Sequence, residues 1–132
     1  MDDSKANDSD YSTVLIVDDE AVVLNVARQI FARAGFKVIE ASTGQDAIDI
    51  FEARKDEINL VFLDHRMPGM CGDEVFAVLR EMSPRLPVLL TSGLALEDLG
   101  AEILGSGPTV FLAKPYRSQI LIEKAHEALA LK

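Results

Sequence analysis

Five short runs of strand-forming residues, spaced by segments long enough for a helix, constrain this chain more than any other feature. They are Val14 to Val17, Lys37 to Glu40, Leu60 to Leu63, Val88 to Leu90 and Val110 to Ala113. All but the second are almost continuously apolar, as central strands covered on both faces of a parallel sheet are. The second alternates and is more polar, which suits a sheet edge.

The intervening segments carry helical spacing. Val23, Val26, Ala27, Ile30 and Ala34 form one stripe, and Gly35 follows as a stop. A second helix is expected over Gly44 to Arg54, with Thr43 as its cap and Ala47, Ile50 and Phe51 on one face. A third runs from Asp73 to Met82, carries Val75, Val78 and Leu79, and ends before Pro84. A fourth falls around Leu96 to Leu104, and a fifth over Ser118 to Leu131. Strict alternation of strand and helix gives an α/β, doubly wound domain: a five-stranded parallel sheet with helices on both faces.

With 132 residues, 48% of them hydrophobic, the chain suits one domain with a substantial core. Its first twelve residues are polar and acidic and are expected to form a disordered tail, leaving 13–132 as the domain. A net charge of -9 argues against direct nucleic-acid binding. No apolar stretch approaches the roughly 20 residues that span a bilayer, so membrane insertion is not expected. The single cysteine, Cys71, excludes an intramolecular disulfide and reads as a loop thiol. Together these features predict a cytoplasmic protein.

In open α/β sheets, ligands bind beyond the carboxyl ends of the strands. The residues at those ends are Asp18-Asp19-Glu20, Asp64, Thr91-Ser92-Gly93 and Lys114-Pro115. Acids, a hydroxyl and a lysine therefore meet at one end. Two carboxylates about 5 Å apart repel by roughly 3 kcal/mol at an effective dielectric near 20. Converging Asp18, Asp19 and Asp64 would consequently need either a proton or a divalent cation between them. An all-oxygen set without histidine or cysteine suits Mg²⁺ rather than zinc. A carboxylate beside such an ion, with Lys114 near it, can attack a phosphoryl group and form an acyl phosphate.

These stretches, "VLIVDDE" (14–20), "LVFLDHRMPGMCG" (60–72), "PVLLTSG" (87–93) and "VFLAKPY" (110–116), resemble a response-regulator receiver domain, the phosphoacceptor module of two-component signalling. The resemblance covers nearly the whole chain. It implies a flavodoxin-like sheet of order 2-1-3-4-5, phosphorylation at Asp64, and direct Mg²⁺ ligation by Asp19, Asp64 and the Arg66 carbonyl, with Asp18 helping through water. It also implies that Ser92 is the switch hydroxyl, Lys114 the lysine that pairs with the acids and then with the phosphoryl group, and Phe111 the aromatic that follows Ser92. The Lys114–Pro115 bond is expected to be cis.

The implied partner is a sensor histidine kinase or a histidine phosphotransfer protein. The surface made by the fourth helix, fifth strand and fifth helix would change on phosphorylation and present itself to a target or a second copy. The chain would promote only its own phosphorylation and dephosphorylation and otherwise not be an enzyme. A small aspartyl-phosphate hydrolase would use the same nucleophile and metal, but it wants an acid two positions after the nucleophile, where Arg66 stands. His65 reads as a loop residue, and Asp18-Asp19 as a helix cap is the plainest structural alternative for the acidic pair.

Overall fold

A computed structural model describes residues 12–65, 69, 72–93 and 107–131. The expectations placed on the N-terminal tail, on the Arg66 carbonyl, on Cys71 and on the helix over 96–104 lie outside those residues. The described elements are β1 (Thr13–Val17), α1 (Ala21–Arg33), β2 (Lys37–Ala41), α2 (Gly44–Arg54), β3 (Leu60–Asp64), α3 (Gly72–Met82), β4 (Val88–Ser92), β5 (Thr109–Ala113) and α4 (Ser118–Ala130). The strands form one parallel sheet in the order β2-β1-β3-β4-β5.

Side chains on successive strand positions point to opposite faces, and this sorts the core into two layers. Leu15, Val17, Val61, Leu63, Val88 and Leu90 pack with Ala47 and Phe51 of α2 and with Val75 and Leu79 of α3. Val14, Ile16, Leu60, Phe62 and Leu89 pack with Leu24, Ala27 and Phe31 of α1 and with Leu121 and Ala125 of α4. β1, β3 and β4 are buried along their whole length, as their apolar runs require. β2 is an edge with only Ala41 buried.

Two expectations change. The fifth run does not form a central strand: β5 lies at the end of the sheet order and its burial alternates, with Val110 and Leu112 inward. α1 is also rotated from its expected face. Leu24, Ala27 and Phe31 are its buried residues, whereas Val26 is 49% exposed and Val22 76%. Both stripes have helical spacing, but the observed one carries the larger side chains. Phe31 packs edge-on against Phe36 at 5.1 Å and tilted against Phe62 at 5.7 Å. Burying Leu24 and Phe31 removes more apolar area from water than burying valines would.

The other helices keep their expected limits closely. Thr43 Oγ1 accepts the Asp46 amide at 3.0 Å, the predicted cap of α2. Gly35 ends α1 with φ 96, a left-handed conformation that side chains resist. α3 begins at Gly72 and buries Phe76 beside Val75 and Leu79, while Val78 is half-buried.

Candidate functional site

The parallel register brings the carboxyl ends of β1, β3, β4 and β5 to one rim. Asp64 ends β3 and is 4% exposed; Asp18 follows β1 and is 3% exposed; Asp19 is exposed. One carboxylate oxygen from each of the three lies within 4.8 Å of the others. The convergence inferred from sequence is therefore present, and so is the electrostatic problem it creates.

That problem is visible in Asp18. Burial pushes its carboxyl pKa up to about 6; the Glu20 amide works against this, and the neighbouring Asp64 charge adds to it. The amide contact is 2.9 Å, from Glu20 N–H to Asp18 Oδ1. Capping does not explain the acidic pair. The N-cap of α1 is Glu20, and it makes no side-chain capping bond.

Lys114 supplies the opposing charge, with Nζ 3.1 Å from Asp64 Oδ1. Its backbone is fixed as well, since the Lys114 amide donates to the Ser92 carbonyl at 2.9 Å. The Lys114–Pro115 bond is cis, as the resemblance implies. Ser92 ends β4 and is buried. The neighbouring hydroxyl, Thr91 Oγ1, donates to the Leu112 carbonyl across to β5 at 2.8 Å. Thr91 is thus engaged in holding two strands together. Phe111 is half-buried on β5, opposite Leu90, against the core layer of α2 and α3.

Sequence reasoning missed Tyr116. Its ring packs edge-on against Phe62 at 6.0 Å, and its hydroxyl pKa is pushed up to about 12 by burial and then by the charges of Asp18 and Asp64. It therefore stays protonated beside the acids. The available signal was the aromatic hydroxyl two positions after Lys114. With Glu20, Val22, Val26, Lys114 and Pro115, Tyr116 lines an open groove of about 360 Å³. The valines left outside by the rotation of α1 form one wall of it.

Three carboxylates, a lysine and a buried hydroxyl on one rim of a 2-1-3-4-5 sheet restrict the family narrowly. A family profile described as "Response regulator receiver domain" matches residues 14–126.

The chain belongs to that family.

Among related proteins, this receiver is 34% identical over 120 residues to the C4-dicarboxylate transport transcriptional regulatory protein DctD of Pseudomonas aeruginosa, covering 90% of this chain and 25% of DctD. It is 28% identical over 111 residues to the chemotaxis protein CheY of Thermotoga maritima, covering 83% of this chain and 91% of CheY. It thus spans a quarter of one relative and nearly all of another. Among solved structures, the CheX–CheY–BeF3–Mg²⁺ complex of Borrelia burgdorferi superimposes with a TM-score of 0.80 at 30% identity, covering 86% of this chain and 85% of that one.

The acidic cluster fits a hard divalent cation. Its donors are all oxygens, they converge within 4.8 Å, and burial leaves Asp18 short of compensation. No described helix is long and apolar enough to cross a membrane.

Proposed function

We propose that this receiver accepts a phosphoryl group on Asp64 from a histidine kinase or a histidine phosphotransfer protein, in a Mg²⁺-dependent reaction. The observation that carries the reading is Lys114 Nζ at 3.1 Å from a buried strand-end carboxylate that also converges with Asp18 and Asp19. Asp19 and Asp64 would hold the ion with the Arg66 carbonyl, and Asp18 would act through water. Bound there, Mg²⁺ supplies positive charge to the transferring phosphoryl oxygens.

An Asp64 carboxylate oxygen forms the new bond to phosphorus as the bond to the donor's leaving group breaks. The electron pair departs with the leaving group, which takes up a proton if it is an imidazole. Lys114 holds the Asp64 carboxylate before transfer and pairs with a phosphoryl oxygen after it. Ser92 is the hydroxyl that turns to that oxygen, and Phe111 follows it. β5 and α4 carry the surface this rearrangement alters, for a target or for a second copy of the chain.

The test is labelling with acetyl phosphate in Mg²⁺. Wild-type protein takes up one phosphoryl group, and Asp64→Asn takes up none while keeping its melting transition. Label persisting in that variant would remove Asp64 from the role.

A further inference from the structure

His65 follows Asp64 directly, and it is tied down at three atoms. Its amide donates to the Thr91 carbonyl of β4 at 2.8 Å, and its carbonyl accepts the Gly72 amide at 2.9 Å. Its ring Nε2 lies 2.6 Å from Asp73 Oδ1, in the first turn of α3. Nε2 must carry the proton in this contact, because a carboxylate only accepts. The other ring nitrogen, Nδ1, is buried and has no hydrogen-bond partner among the described residues. Asp73 is therefore the polar anchor that fixes the ring's rotation. Gly72 lets the two segments close up, since a Cβ there would sit 2.5 Å from His65 Cα and 2.6 Å from the Asp64 carbonyl oxygen.

Asp73 contributes nothing to the core and is 50% exposed, whereas the ring it holds is 13% exposed. Its reach is toward the rim that carries Asp64. The peptide joining residues 64 and 65 is held from β4 through its N–H, and the His65 carbonyl just beyond it is held from α3, so the backbone on the exit side of Asp64 Cα is tied on two sides.

The geometry points to Asp73 and His65 as a positioning pair for phosphoryl transfer: their 2.6 Å polar contact holds the chain leaving β3 so that the Asp64 carboxylate keeps its aim. This rests on the reading of Asp64 as the acceptor. Neither residue touches the reacting atoms; both act through the backbone of residue 64.

The experiment compares the rate of acetyl-phosphate labelling at saturating Mg²⁺ in wild type, Asp73→Ala, Asp73→Asn and His65→Gln, with melting curves taken in metal-free buffer. Misplacing a reacting group by about 1 Å costs roughly 100-fold, so a partial loss of aim in Asp73→Ala is expected to slow labelling about five- to tenfold. Asp73→Asn keeps an oxygen acceptor and His65→Gln keeps an N–H donor, so both are expected to stay within about twofold of wild type. Asp73→Ala labelling at the wild-type rate would overturn the proposal. So would Asp73→Asn slowing as far as Asp73→Ala, since charge rather than the bond would then be acting. A slowing that matches the fraction unfolded at the assay temperature would also overturn it. Wild-type protein that takes no label refutes the acceptor reading instead, and the two failures stay distinct.

Discussion

Removing one charge from the acidic rim should stabilise this protein when no metal is present. Asp18 is the charge to remove, because its carboxyl is buried and its pKa is raised from 3.8 to about 6. A folded-state pKa above the unfolded value means the folded chain holds the proton to higher pH. Stability from this group is fully present below about pH 4, falls as pH rises through about 6, and is flat above that. Each pKa unit is worth about 1.4 kcal/mol, so ionised Asp18 costs the folded state on the order of 3 kcal/mol at pH 7.5.

Asn at position 18 abolishes that cost without losing the local contact, since its side-chain oxygen can still accept the Glu20 amide now at 2.9 Å. In EDTA at pH 7.5, Asp18→Asn is expected to melt higher than wild type, by up to roughly 10 °C at about 4 °C per kcal/mol for a domain this size. At pH 4 the gap should close, because protonated Asp and Asn are then near equivalents. Added Mg²⁺ should narrow the gap at pH 7.5, since wild type keeps the full acidic set. The reasoning fails if Asp18→Asn melts lower than wild type in EDTA at pH 7.5. It fails equally if the difference is the same at both pH values.

Two further substitutions test the frame around the site. Thr91→Val removes the 2.8 Å bond to the Leu112 carbonyl; denaturant unfolding should show a loss of about 0.5–1.5 kcal/mol while Asp64 still labels. Gly72→Ala places a methyl group against backbone atoms at 2.5–2.6 Å, and the same measurement should show a loss of about 1–3 kcal/mol as α3 is pushed from the end of β3.

What was legible in the sequence was whatever is local or periodic. Leu60 to Leu63 is continuous because β3 is buried on both faces, and Asp64 stands out because it breaks that run. Thr43 precedes its helix in a pattern that announces a cap, and the cap is there. α1 misled because "AVVLNVARQIFAR" carries two apolar stripes, and periodicity cannot say which one meets Phe36 and Phe62. The apolar run alone misplaced β5 for a related reason, since it reports burial but not neighbours; only the 2-1-3-4-5 order implied by the resemblance put β5 at the edge. Tyr116 and the Asp73–His65 contact were invisible because each depends on segments joined only in space. Tyr116 meets the acids of β1 and β3 from the far end of the chain, and Asp73 meets His65 from the first turn of α3.

The site's architecture also explains why its groups should work together. Buried carboxylates that repel one another are a cost to the fold, and the core on either side of the sheet supports that cost. The cost falls when charge of the opposite sign arrives, whether as Lys114 drawing to Asp64 or as a cation among the three acids. Under the proposed phosphorylation of Asp64, negative charge there would grow and move outward, and Lys114 following it would pull on the backbone that it shares with Ser92 through the 2.9 Å bond. A receiver arranged this way needs no large motion at the acceptor itself. On that proposal a shift of Lys114 would reach the end of β4 through this bond and, because Lys114 directly follows Ala113, the end of the strand that carries Phe111.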